Sequence, residues 1–227
     1  MHTLNRFVAV LAFLLPAAVQ AETLSIIDRT IEFEPPEGYC LVDRGDPYES
    51  QIFDYMADIQ RTHGTELLAM YAVCGETQAI IDGTATNYFD YGLLVALPSD
   101  GEFIQPMPGF SRAEVIELMQ KDMPTATAEM QAGIDKAREQ LAESGIAMSN
   151  ATQPTVIGSD DNALYAAFSL EVDAGNGPSP VAAMSAFTFV AELPLVLQLY
   201  TPHQDGAFDM LLDRQSELAA DFVAANE

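Results

Sequence analysis

Apolar and polar positions alternate loosely over Thr23–Phe33, which predicts a first strand ending at Pro35-Pro36. Asp46-Pro47-Tyr48-Glu49 then reads as a helix start. The Asp46 carboxylate can accept from first-turn N–H groups, Pro47 suits the first helical position, and Glu49 can reach back. Ile52, Phe53, Met56 and Ile59 follow at helical spacing, and Gly64 ends the pattern. Glu66–Cys74 (ELLAMYAVC) has strand length and is charged only at its start, so it predicts a buried central strand. Tyr88–Leu97 (YFDYGLLVAL) predicts the next strand, closed by Pro98 and a turn at Ser99-Asp100-Gly101.

Pro106 and Pro108 make Ile104–Gly109 a loop, and Ser111-Arg112-Ala113-Glu114 is a capping box opening a helix that runs to Pro124. A further helix spans Thr127–Ser144, with Met130, Ile134, Ala137 and Leu141 as its apolar stripe and Gly145 as its stop. After Gly145 the period changes from helical to alternating. Thr155–Gly158, a polar turn at Ser159–Asn162 and Ala163–Val172 predict a hairpin. Val181–Ala191 and Leu195–Thr201 predict two more strands, divided by Glu192-Leu193-Pro194. Phe208, Leu211, Leu212, Leu218, Phe222 and Val223 share one face of a last helix over Gly206–Ala225.

Strands joined by short turns are antiparallel, which excludes a doubly wound parallel sheet. The order predicts an α+β fold: an antiparallel sheet with a C-terminal strand meander, packed by helices in the manner of an α/β/α sandwich.

Composition changes the picture at the N-terminus. Arg6 precedes the unbroken apolar run Phe7–Leu15, Pro16 breaks it, and Val19-Gln20-Ala21 places small residues before a cut. That is the plan of a signal peptide over residues 1–21, and the run is too short for a transmembrane helix. The expectation is export to a periplasmic or secreted location, with no membrane span after the signal is removed. Residues 22–227 are then a single domain of about 200 residues, large enough to bury a substantial core.

The chain holds 34 acidic and nine basic residues, for a formal charge of −25. Phosphate binding needs clustered Lys and Arg, so nucleic acid is excluded as a partner. Such acidity serves solubility first, and a cationic partner second. Cys40 and Cys74 are the two cysteines; an even count in an exported chain favours a structural disulfide. On a chain-entropy basis the bridge contributes roughly 4 kcal/mol.

The chemical motifs are near-misses. No zinc-protease helix, phosphate loop, dinucleotide loop or C-x-x-C is present, so no cofactor is expected. Gly109-Phe110-Ser111-Arg112-Ala113 has part of a nucleophile elbow, with His203 downstream, but prolines stand where the elbow needs a strand. His63 sits at a helix end, where the dipole favours a cation. Asp160-Asp161-Asn162 lacks the remaining positions of a calcium loop and reads as an Asx turn. Tyr200, His203 and Asp205 leave the last strand together and are the candidate binding residues. No catalytic, cofactor or metal residue is assigned.

The stretch Ala163–Asn226 resembles the C-terminal half of the PsbP/DcrB-like α/β/α sandwich proteins. Its parts are ALYAAFSLEV, a turn, SAFTFVAELPLVLQLYT and FDMLLDRQSELAADFVAAN. The pairing of TIEFEPPEGYC with a capped helix is similar too. No residue motif is shared, so no functional residue is carried over. The resemblance implies an accessory or binding module. The expected function is an exported, non-enzymatic binding or accessory module for a protein or small ligand. The alternative is a periplasmic hydrolase or metal-dependent enzyme using His203 and Asp205, or Ser111.

Overall fold

The structure is a computed structural model that describes residues 21–62, 64–85, 88, 90–98, 104–123, 127–143, 145–173, 175 and 177–227. Residues 1–20 of the signal segment, His63 and the turn at Ser99-Asp100-Gly101 lie outside the described residues.

The first predicted strand is a hairpin instead: β1 (Glu22–Ile26) pairs antiparallel with β2 (Arg29–Phe33). The turn between them is Ile27-Asp28, with Ile27 at φ 54° and 60% exposed. Turns of this kind favour Asn or Gly, so a β-branched residue there gave no turn signal.

Three short elements were also unmarked in the sequence. They are β3 (Tyr39–Leu41), α2 (Glu76–Ile81) and β6 (Ala147–Ser149), each too short to show a period.

The longer elements match their predicted patterns. They are α1 (Pro47–Thr62), β4 (Glu66–Val73), β5 (Tyr91–Ala96), α3 (Arg112–Asp122), α4 (Thr127–Glu143), β7 (Thr155–Ser159), β8 (Leu164–Asp173), β9 (Ser179–Val190), β10 (Leu193–Pro202) and α5 (Ala207–Ala225). The break between β9 and β10 falls at Ala191-Glu192, both at positive φ, one residue before the predicted one. Leu193 and Pro194 belong to β10; Pro194 donates no N–H, but its carbonyl accepts from Leu97 at 2.9 Å.

Strands pair in the order β3-β4-β5-β10-β9-β8-β6, with β7 also on β8, and every pairing is antiparallel. The meander β7–β10 therefore folds back so that β10 joins β5, uniting the two halves of the chain in one sheet.

Alternation along the strands sends side chains to two cores. One holds Ile31 and Phe33 of the hairpin, Tyr71, Leu94, Met184, Leu195, Leu197 and Leu199 of the sheet, and Leu211 and Phe222 of α5. The other holds Phe53 of α1 with Leu67, Met70, Leu93, Val95 and Val196. The fold is thus α+β, with the hairpin and α5 on one face of the sheet and α1 on the other.

Gly92 keeps the first core closed. It faces Tyr71 across the β4–β5 pairing, and a Cβ there would stand 2.2 Å from the Tyr71 ring.

Candidate functional site

The strand-to-helix junction separates the residues that the sequence groups together. Tyr200 belongs to the α1-side core, where its ring stacks on Tyr91 at 4.8 Å and meets Phe168 edge-on at 6.2 Å. Its hydroxyl donates to Gln198 Oε1 at 3.1 Å. Burial raises Tyr200 well above the usual phenol range and pushes Tyr91 up to about 12, so both stay neutral across ordinary pH.

His203 turns the other way. Its backbone N–H donates to the Pro180 carbonyl at 2.9 Å, and its ring meets Phe208 of α5 at 5.4 Å. His203 and Asp205 are exposed in the turn before Gly206, the N-cap of α5.

Ser111 caps α3. Its Oγ accepts from the Glu114 N–H at 3.3 Å, while Glu114 Oε2 accepts from the Ser111 N–H at 2.8 Å and from its hydroxyl at 2.7 Å. These bonds hold the Glu114 carboxyl below the usual carboxylate range. A cleft of about 550 Å³ lies beside the cap, lined in part by Arg112, Ile116, Glu117, Asp160, Asp161 and Glu227, with no histidine among the described residues that line it. Asp160 closes the β7–β8 turn. Its Oδ1 accepts from Asn162 and Ala163 N–H groups at 2.8 and 2.9 Å, and its Oδ2 from Tyr165 Oη at 2.7 Å.

The second cleft, of about 300 Å³, lies beside the cysteines. Cys40 and Cys74 are joined, with S–S 2.05 Å. One wall is formed by Cys40–Asp43, Asp46 and Glu49, the other runs from Ala72 through α2 to Ile81, and among the described residues no Lys or Arg lines it, Arg44 being placed over the Phe53 ring at 4.5 Å. Asp43, Asp46 and Glu49 stand on the first wall, each with a carboxylate oxygen accepting from a backbone N–H. Asp46 takes Tyr48 and Glu49 N–H groups at 2.8 and 3.0 Å, the cap read from the sequence. Glu49 reaches back to Asp43 rather than to its own N-cap. Ile81 is 51% exposed at the far rim.

Sequence reasoning missed a half-buried polar cluster beside this region. Asp90 Oδ1 accepts from the Tyr39 hydroxyl; Asp90 Oδ2 accepts from Thr201 Oγ1 at 3.2 Å and from Arg214 at 3.4 Å. Arg214 also donates to the Tyr39 oxygen at 3.0 Å. Burial, then the bond to Asp90, raises Tyr39 well above its usual range. The four residues come from β3, the approach to β5, β10 and α5. Only the interruption of apolar runs by Asp90 and Arg214 hinted at them.

Among the described residues, no group of three or more His, Cys, Asp or Glu is placed to hold a metal ion. No helix there is long and apolar enough to cross a membrane.

No protein-family model and no curated protein matches the chain. Among solved structures it is similar to cyanobacterial PsbP (CyanoP) from Synechocystis sp. PCC 6803 at 12% identity, covering 86% of this chain and 84% of that one, with a TM-score of 0.32. No residue role passes between the two chains.

Proposed function

We propose that the chain is exported and acts as a non-enzymatic binding module, with the cleft beside the disulfide as its seat. The observation that carries this reading is the separation of the candidate reactive groups. Tyr200 packs in the α1-side core, the exposed His203 ring meets Phe208 of α5, and Ser111 is engaged in its cap. General acid–base or nucleophilic catalysis needs such groups within hydrogen-bond reach of one another.

The surface chemistry favours a cationic ligand, either a basic segment of a protein or a small polyamine-like molecule. Three carboxylates stand on one wall of the cleft, and among the described lining residues none is basic, with Arg44 of the same segment placed over the Phe53 ring. The chain as a whole adds a field of the same sign. Export rests on the signal pattern of residues 1–21.

The test compares the intact protein with His203→Ala and Ser111→Ala variants on p-nitrophenyl acetate and p-nitrophenyl phosphate. The expected result is turnover no faster than buffer for all three. Turnover by the intact protein that either substitution abolishes would replace this reading with a hydrolase.

A further inference from the structure

We propose that the Cys40–Cys74 disulfide is a redox latch: reduction by a dithiol frees α2 and opens the cleft without unfolding the domain. Three observations converge. Both cysteines are exposed at the surface, so a thiolate can reach the bridge. The bridge joins the first residue of one cleft wall to the residue immediately before Gly75, which caps α2 in the other wall. And α2 has no buried side chain of its own.

Contacts other than the bridge hold the rest of the molecule. Beyond it, β3 stays paired to β4 through Tyr39↔Val73, Cys40↔Ala72 and Leu41↔Tyr71, and Val42 N–H donates to the Met70 carbonyl at 2.9 Å. The first wall is further anchored by Phe53, which is 4% exposed in its core. The base of the second wall is tied down by Cys74 N–H to the Gly38 carbonyl at 2.9 Å and Val73 N–H to the Asp90 carbonyl at 3.2 Å, while α2 beyond it has the Thr77–Tyr88 hydroxyl pair, 2.7 Å apart, and the backbone bonds of a short helix. Local opening is drawn from elements that bury little, so α2 is the part that reduction releases.

The exchange balances. One thiolate of the dithiol attacks a bridge sulfur and forms a mixed disulfide, expelling the other cysteine as thiolate. The second thiol of the reductant then displaces the remaining cysteine. The reductant ends as a cyclic disulfide, and two electrons and two protons reach Cys40 and Cys74. The latch does not depend on which ligand the cleft takes.

The experiment is hydrogen exchange by mass spectrometry on the mature protein, oxidised and after dithiothreitol without denaturant, with reduction scored by alkylation. The amides to follow are Ala79, Asp82, Gly83 and Thr84, bonded to Gly75, Gln78, Ile80 and Ala79 carbonyls. Their exchange should rise on the order of tenfold or more, while β4, β5 and β10 keep their protection. A Cys40→Ser/Cys74→Ser protein should match the reduced form. The proposal is overturned if dithiothreitol reduces the bridge only in denaturant, or if α2 exchanges alike in both states. It is also overturned if protection is lost throughout the sheet, or if the double variant does not fold.

Discussion

Replacing Gly92 by alanine probes the packing on which the first core depends. The added Cβ would stand 2.2 Å from Cζ and 2.4 Å from the hydroxyl of Tyr71. That ring is fully buried and is held between Phe33 at 5.4 Å and Tyr39 at 5.9 Å, with its hydroxyl bonded to the Gln198 carbonyl at 3.2 Å. It has no free space to swing into, so the sheet and ring must shift together. Overpacking of this kind costs about 1–3 kcal/mol, and losing the hydroxyl bond adds about 1 kcal/mol. We take about 3 kcal/mol, which for a domain of this size lowers Tm by roughly 6–12 °C.

Urea and thermal unfolding followed by circular dichroism measure the change. A double-mutant cycle isolates its cause. With Tyr71→Leu already present, the ring is gone, and Gly92→Ala should cost less than about 1 kcal/mol. A Gly92→Ala protein as stable as the parent, or one whose loss is the same in both backgrounds, would refute the steric account.

Other outcomes follow from the charge and the tyrosines. Tyr39, Tyr71, Tyr91, Tyr165 and Tyr200 are all raised above 10, so the folded state holds their protons more tightly than the unfolded one. Their contribution is complete below the unfolded phenol range and is lost as pH rises through the folded values. Stability should therefore fall from about pH 10 upward, with phenolate absorbance at 295 nm appearing as the fold is lost; phenolate formed by these residues in a still-folded protein would oppose this. The described ion pairs engage only Arg29, Arg61, Arg112, Arg138 and Arg214 among the basic residues, against 34 acidic residues in the chain. Salt should screen the remaining repulsion and raise Tm, and a Tm indifferent to NaCl would mean the acids do not repel appreciably. N-terminal sequencing of the exported protein should begin at Glu22, and an intact Phe7–Leu15 run in it would remove the signal reading.

What the sequence could reveal was local. The Ser111–Glu114 box and the Asp46 cap are satisfied within three residues, so their side chains announce them. The meander shows because Gly and Pro punctuate it and its strands alternate. The hairpin tip at Ile27 was hidden because its residue type argues against the conformation it holds. The pairing of β10 with β5 joins residues about a hundred positions apart, and no local period encodes that. For the candidate site, the two cysteines were visible as a pair, whereas the cleft was not. Its walls come from the segment leading into the first turn of α1 and from the end of β4 through α2, and the Tyr39–Asp90–Arg214 cluster draws on residues as far apart as 175 positions. Tyr200 and His203 look adjacent on paper, yet Tyr200 packs in the α1-side core while the His203 ring is exposed beside Phe208.

We propose that the cleft beside Cys40–Cys74 receives a cationic ligand. Its most direct test is an amide chemical-shift titration of the oxidised protein with pentalysine at low ionic strength, with pentaglutamate as the control. Saturable shifts concentrated at residues 40–49 and 72–81 are expected, with no response to pentaglutamate. Shifts spread evenly over the acidic surface, or centred on Asp160, Asp161 and Glu227 in the other cleft, would contradict it.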